Sequence, residues 1–251
     1  MNDWFEWNGV RCTDDSYGIH VSEQPPIIIP KERVDQVTIP GRPGTVTITE
    51  GDDVYEDITL TAKCWISDPT KIPAIAAWLK GSGKLTFANR DGGFYYARLA
   101  EPVEFNRIMR GRQHMAFEIS FLCSPFWYES DVRDIVINAT NNSISYRLAS
   151  PCPVYTDPVL TITGSGSIML TVGDATVYIE GLSGSVVLDC EAGVAYTVDG
   201  FGIKTFAGEL VSLEDGEWPR LEPNTYNMIT AMGINGGTLT SITIKPNWRY
   251  L

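Results

Sequence analysis

Histidine is almost missing from this chain: His20 and His114 are the only two in 251 residues. A histidine-rich metal site is thereby excluded, and a serine–histidine–carboxylate site would need one of the pair. No serine lies in a Gly-x-Ser-x-Gly elbow, and neither histidine has a context that marks a base. Basic residues are scarce too: 19 Lys and Arg stand against 31 Asp and Glu, a net charge of −12. Such a field repels phosphate backbones and argues against nucleic-acid binding. No apolar run approaches the roughly 18 residues of a membrane helix, so no membrane insertion is expected. The opening Met1-Asn2-Asp3-Trp4-Phe5-Glu6-Trp7 has neither a basic region nor an apolar stretch, so no signal peptide is expected. The five cysteines are odd in number and contain no Cys-x-x-Cys pair. Neither a disulfide framework nor a zinc site is signalled; buried thiols in a reducing cytoplasm are the reading. Repeats and low-complexity segments are also lacking.

What is present is alternation. Ile58, Leu60, Ala62, Cys64 and Ile66 alternate with mostly polar neighbours, as do Met115, Phe117, Ile119, Phe121 and Cys123. Ile168-Leu170-Val172, Val186-Leu188-Cys190 and Ile242-Ile244 repeat the pattern in the second half. A period of two places apolar side chains on one face of each strand, the signature of sheets packed on one side. Gly, Asn, Asp and Pro punctuate the runs as β-sandwiches require.

One helix interrupts the strands. Asp68 can cap it, Pro69 suits its first position, and Ile72, Ile75, Ala76 and Leu79 share a face before Gly81 ends it. The spacing predicts about three turns lying on a sheet. A hairpin is also expected, with arms Gly44–Thr49 and Val54–Leu60 and Glu50-Gly51-Asp52-Asp53 turning between them. Its first arm, Thr45-Val46-Thr47-Ile48-Thr49, is poor in large apolar residues, so it is read as projecting from the body and as a candidate contact between subunits. A boundary falls near Ser130, where Ser124-Pro125-Phe126 stops the alternation and Thr, Ser, Gly and Asn become abundant. The expected domains are therefore 1–130 and 131–251.

The residues yield no recognisable chemistry. Carboxylates cluster at Asp52-Asp53-Glu56-Asp57, Asp189-Glu191 and Glu214-Asp215-Glu217, but the first lacks the spacing of a calcium loop. Solvated turns are the plainer reading, although a glycosidase pair would use the same residue type. Gly164-Ser165-Gly166 precedes a strand pattern, so it reads as a tight turn and not a phosphate cradle. The sequons Asn138-Ala139-Thr140 and Asn141-Asn142-Ser143 read as chance matches. Catalytic, cofactor and metal residues are thus read as none. Phe201, Trp218, Tyr226 and Trp248 are candidate contacts for a sugar or a partner, since exposed aromatics serve both.

The order of motifs adds a resemblance. Phe5-Glu6-Trp7-Asn8-Gly9, then Gly18-Ile19-His20-Val21, then Val37-Thr38-Ile39-Pro40-Gly41-Arg42-Pro43-Gly44 open the chain. Ala77-Trp78-Leu79, Lys84-Leu85-Thr86-Phe87, Tyr95-Tyr96-Ala97-Arg98-Leu99 and the closing Ser124-Pro125-Phe126 follow. The second half has Gly181–Asp189, Gly216-Glu217-Trp218-Pro219-Arg220 and a final Pro246-Asn247-Trp248-Arg249-Tyr250-Leu251. In this order they resemble the distal tail protein (Dit) family of long-tailed phages. Pro223-Asn224-Thr225-Tyr226-Asn227 departs from the family's Pro-Gly-Asn turn, which puts that turn in question and not the domain.

The resemblance implies a mainly β protein of two sandwich-like domains. The first would carry one helix and a projecting hairpin and form a ring, by resemblance a hexamer. The second would be a galectin-like or carbohydrate-module-like jelly roll that serves as an adaptor. Implied partners are other copies of the chain, the tail tube protein, tail-tip proteins and receptor-binding or baseplate proteins. The implied place is the virion tail tip, and no cofactor is implied. Two other functions stay open at this point: a carbohydrate-binding module contacting the host surface, and a glycoside hydrolase.

Overall fold

In a computed structural model the protein is mainly β, and its described residues include a single short α-helix. The structure describes residues 3–49, 51–107 and 114–251. The chain divides into two compact units, one running to Ser130 and including Leu251, the other Asp131–Tyr250.

The first unit holds β1 (Phe5–Trp7), β2 (Val10–Arg11), β3 (Ile19–Glu23), β4 (Val34–Thr38), β5 (Thr45–Thr49) and β6 (Ile58–Ile66). After the helix α1 (Ile72–Trp78) come β7 (Ser82–Phe87), β8 (Gly93–Leu99), β9 (Asn106–Arg107), β10 (Met115–Cys123) and β11 (Trp127–Glu129). Its main sheet is antiparallel and runs β2-β1-β7-β8-β10-β6-β3. β6 and β10 pair along nine positions, with Leu60 opposite Phe121, Ala62 opposite Ile119 and Cys64 opposite Phe117. Alternate residues of both strands are buried, so the pairing stacks their apolar faces on one side. Phe5, Trp7, Leu85 and Phe87 complete this core. Fully burying each such side chain contributes roughly 1.5–3 kcal/mol.

The helix is shorter than its apolar spacing predicts. Asp68 accepts from the Thr70 amide at 3.0 Å, but it caps a 3-10 turn, Pro69–Lys71, and α-helix begins only at Ile72. Pro73 explains the break. It has no amide hydrogen to donate to the Pro69 carbonyl, so the first α-turn cannot close and the tighter turn takes its place. Ile75 and Leu79 are buried, and Trp78 stacks on Tyr17 at 4.2 Å between ring centroids.

The second unit holds β12 (Ile135–Asn138), β13 (Ser143–Ala149), β14 (Val159–Val172), β15 (Ala175–Asp189), β16 (Val194–Val198) and β17 (Lys204–Phe206). It ends with β18 (Val211–Leu213), β19 (Tyr226–Lys245) and β20 (Arg249–Tyr250). Its sheet runs β12-β19-β14-β15-β16-β17, with β13 also on β19 and β18 on β15. Three of these strands are far longer than usual, and they bend. The two ends of each strand face one another across a single core, with Ile229, Leu170 and Val177 from one half and Ile244, Leu160 and Leu188 from the other. One sheet is thus folded over into a sandwich.

The bend corrects the reading of Gly164-Ser165-Gly166 as a turn: these residues lie inside β14, where its pairing with β19 shifts register. Gly166 takes φ +76, and a Cβ there would stand 2.9 Å from the Cα of Gly237. Asn142 pins the same place from the side. Its side chain accepts from the Leu239 amide at 2.6 Å and donates to the Gly237 carbonyl at 2.9 Å. The Asn-Asn-Ser match is therefore a structural device: Asn141 and Asn142 both take positive φ in the turn before β13. Asn142→Ala leaves the Leu239 amide and the Gly237 carbonyl without this partner and is expected to cost roughly 1–3 kcal/mol. Chemical denaturation checks this; a loss below a few tenths of a kcal/mol refutes the pinning role.

All five cysteines are buried. Burial pushes Cys12 up to about 11 and Cys123 up to about 12, and raises Cys64 and Cys190 as well. The thiolate is the reactive form, so these groups are inert at neutral pH. A thiol reagent at pH 8 is expected to label none of the five in the native protein and all five in denaturant. Rapid labelling of the native chain would contradict the burial.

Candidate interaction surfaces

The expected hairpin exists, but its partner strand is different. Thr45–Thr49 pairs with Val34–Thr38 upstream, from Thr45 opposite Thr38 to Thr49 opposite Val34. The turn is Ile39–Gly44, where Gly41 and Gly44 take φ of +84 and +80. Residues 54–56 pair further down the same upstream arm: the Arg33 amide donates to Val54, and the Glu56 amide to Lys31. Gly51, Asp52 and Asp53 thus bulge out of one long ribbon and do not turn a hairpin, while Glu50 lies outside the described residues. Ile58–Leu60, read as part of the second arm, belongs to β6 in the main sheet.

This ribbon has two unlike faces. Thr45, Thr47 and Thr49 lie beside Val34, Gln36 and Thr38 on one, and Val46 and Ile48 lie with Val37 and the charged Asp35 on the other. The apolar face is not covered: Ile48 is 52% exposed and Val37 44%, with Ile39 at 43% continuing the alternation into the turn. The two-stranded sheet pairs with no other described strand. A two-stranded ribbon is marginal in water without a sheet or helix behind it. An exposed apolar face with a polar border, here Asp35, is what an interaction surface presents.

The structure separates the four candidate aromatics. Trp248 is buried, which withdraws its ring faces from a sugar, and Trp218 packs half-buried against the second core. The packing partners come from distant strands, which their polar sequence neighbours concealed. Phe201 and Tyr226 are exposed, at 93% and 63%. The Arg147 guanidinium lies 4.7 Å from the Tyr226 ring centre, so one face of that ring is already occupied. The departed turn before Tyr226 closes by other means: Asn224 takes φ +50, and Asn227 receives the Glu222 amide at 2.7 Å.

The groups weighed for catalysis do not converge. His20 stacks on Trp65 at 4.1 Å, and His114 lies against the same ring at 5.6 Å. Both histidines are thus packed on one indole. Asp189 accepts from the Ala192 amide and Glu214 from the Tyr178 hydroxyl, each as a local brace. Among the described residues no group of three His, Cys, Asp or Glu is placed to hold a metal. A polar groove of about 700 Å³ crosses the outer side of β6 and β10, lined by Lys63, Glu101, Glu104, Asn106, Glu118 and Ser120. Lys63 there is paired with Glu23 at 2.7 Å, which holds its ammonium charged.

Sequence reasoning missed one buried ionic cluster in the second unit. Arg249, 5% exposed, donates to Asp157 at 2.8 Å and to the Tyr155 carbonyl at 2.7 Å. Arg220 meets the other oxygen of Asp157 at 3.0 Å. The signal in sequence was slight: one aspartate between prolines and two arginines more than sixty residues away.

No protein-family model matches the chain, and no curated protein matches it in sequence. Solved structures do match its fold. The chain is similar to the Dit protein (gp 19.1) of phage SPP1, whose crystal structure is described as a paradigm of the hub adsorption apparatus in phages infecting Gram-positive bacteria. The likeness has a TM-score of 0.70, spans 100% of both chains and comes with 15% sequence identity.

Proposed function

We propose that this chain is a non-enzymatic structural protein of a phage tail. Its first unit closes a ring, by resemblance a hexamer, and its second unit is a galectin-like adaptor that docks other tail proteins. The observation that carries this reading is the fold correspondence over the full length of both chains, both units included. The uncovered apolar face of the β4–β5 ribbon supports the ring, because a ring needs a patch that meets a different patch on the next copy. The tail tube protein, tail-tip proteins and receptor-binding or baseplate proteins are the partners this role requires. Its place is the tail tip of the virion, after synthesis in the host cytoplasm. Contact with a host-surface saccharide is the weaker alternative, because only Phe201 and Tyr226 of the four candidate rings are exposed. Immunogold labelling of virions with antibody to this chain tests the location. Gold at the distal end of the tail is expected; gold on the capsid, or on no part of the particle, contradicts the role.

The two units are further proposed to fold independently. The link Asp131-Val132-Arg133-Asp134 has no regular structure, and Arg133 is exposed. Limited trypsin digestion is expected to cut at Arg133 first and to leave two resistant fragments. Cuts confined to the interior of the units, with none at the link, would refute independence.

A further inference from the structure

The outer hairpin of the second unit, β16 and β17, is built unlike the rest of its surface. Of nine exposed large hydrophobics among residues 131–251, five fall between Val194 and Phe206. Phe201 is 93% exposed, Phe206 73% and Ile203 62%, which is far beyond scattered surface exposure. Local hydrogen bonds shape the turn that carries them. The Asp199 carboxylate accepts from the amides of Phe201 at 2.9 Å and Ile203 at 2.8 Å, and the Gly202 amide donates to the Asp199 carbonyl. The Phe206 ring occupies the space that a Cβ on Gly208 would fill.

β17 is also an open edge. It pairs with β16 on one side and with no described strand on the other. The Asp199 amide donates to Ile203 and the Ala207 amide to Ala195, which fixes the hydrogen-bonded positions of the ladder. Between them the main-chain groups of Lys204 and Phe206 point away from β16. Edges of this kind are usually guarded by charge or proline. Here the one charge on the strand is Lys204, and its ammonium lies over the Tyr196 ring at 4.3 Å.

The surroundings select the partner. The hairpin and its flanks, residues 189–209, carry four carboxylates and a single basic residue, Lys204. A second copy would bring the same acidic surface and be repelled. We propose that the free edge of β17 receives an extended segment of a different protein, apolar at alternate positions and basic at its flanks, as an added strand. Main-chain hydrogen bonds to Lys204 and Phe206 supply the register; Phe206 is the apolar anchor on the face it shares with Lys204, and Phe201 and Ile203, which precede the strand, are apolar contacts at its start. The inference deepens the adaptor reading of the second unit and rests on it.

The test uses the full chain and two synthetic peptides of alternating valine and threonine, one with arginines at both ends and one with glutamates. Fluorescence anisotropy is expected to show saturable binding of the arginine peptide, at least about tenfold tighter than the glutamate peptide. Amide exchange at Lys204 and Phe206 should slow on binding. Lys204→Pro removes an outward amide without touching the ladder to β16, and should weaken binding by about tenfold or more, while Lys204→Thr should not. The double variant Phe201→Ser, Phe206→Ser should lose binding and serves alone if the proline variant fails to fold. Equal binding of both peptides, binding untouched by these variants, or self-association abolished by Lys204→Pro would each overturn the proposal. Those results leave the ring of the first unit standing, because its mass is read separately.

Discussion

Asp157→Ala is expected to destabilise the second unit by roughly 3–5 kcal/mol, the usual cost of removing one partner from a buried ion pair. The Arg249 guanidinium stays almost fully buried in the variant, while the carboxylate that accepted from it at 2.8 Å is gone. Its bond to the Tyr155 carbonyl is to a neutral group and does not replace the lost carboxylate. Arg220→Ala is the control. Its side chain is 43% exposed, so its bond to the same aspartate is screened by water and its loss should cost no more than about 1 kcal/mol. Denaturant unfolding followed by a probe in the second unit separates the two variants. Equal losses for Asp157→Ala and Arg220→Ala would show that burial does not set the strength of this cluster.

The second large effect is on assembly. Replacing residues 35–48 with a two-glycine turn is expected to abolish the proposed ring and leave a folded monomer, twelve residues shorter than the 27.7 kDa chain. The excised residues are exposed throughout except Val46, so their loss should leave both cores intact. A stable protein interface buries on the order of 1,200–2,000 Å² in total, and the ribbon with its uncovered valine and isoleucines is a natural contributor. The substitution Val37→Ser with Ile48→Ser tests the apolar face alone and should shift the equilibrium toward monomer. A shortened protein that still sediments as the full ring would show that the ribbon is not the joint.

The main sheets were legible because one packed face fixes their register. In β6 and β10 a slip of one residue would turn Leu60, Ala62, Phe117 and Ile119 out to solvent, so the alternation in the sequence admits one solution. The β4–β5 ribbon has no such constraint. It is exposed on both sides, and the sequence offers two turn signals, Pro40-Gly41-Arg42-Pro43-Gly44 and Glu50-Gly51-Asp52-Asp53. Local chemistry did not decide between them; the upstream arm 31–38 did, by pairing on both sides of the bulge. Gly164-Ser165-Gly166 failed for a related reason. Its glycines make room for Gly237 and Thr238, more than seventy residues later, and no local pattern carries that contact. The four candidate contacts could not be told apart in the sequence; exposure separates Phe201 and Tyr226 from the rest. Burial of Trp248 depends on distant strands.

The ring is the central claim, and the mass of the intact protein in solution tests it most directly. Light scattering over a range of concentrations should give the mass of a hexamer of the 27.7 kDa chain, falling to a monomer when residues 35–48 are replaced. An intact chain that stays monomeric at the highest attainable concentration would contradict a ring that the first unit closes by itself.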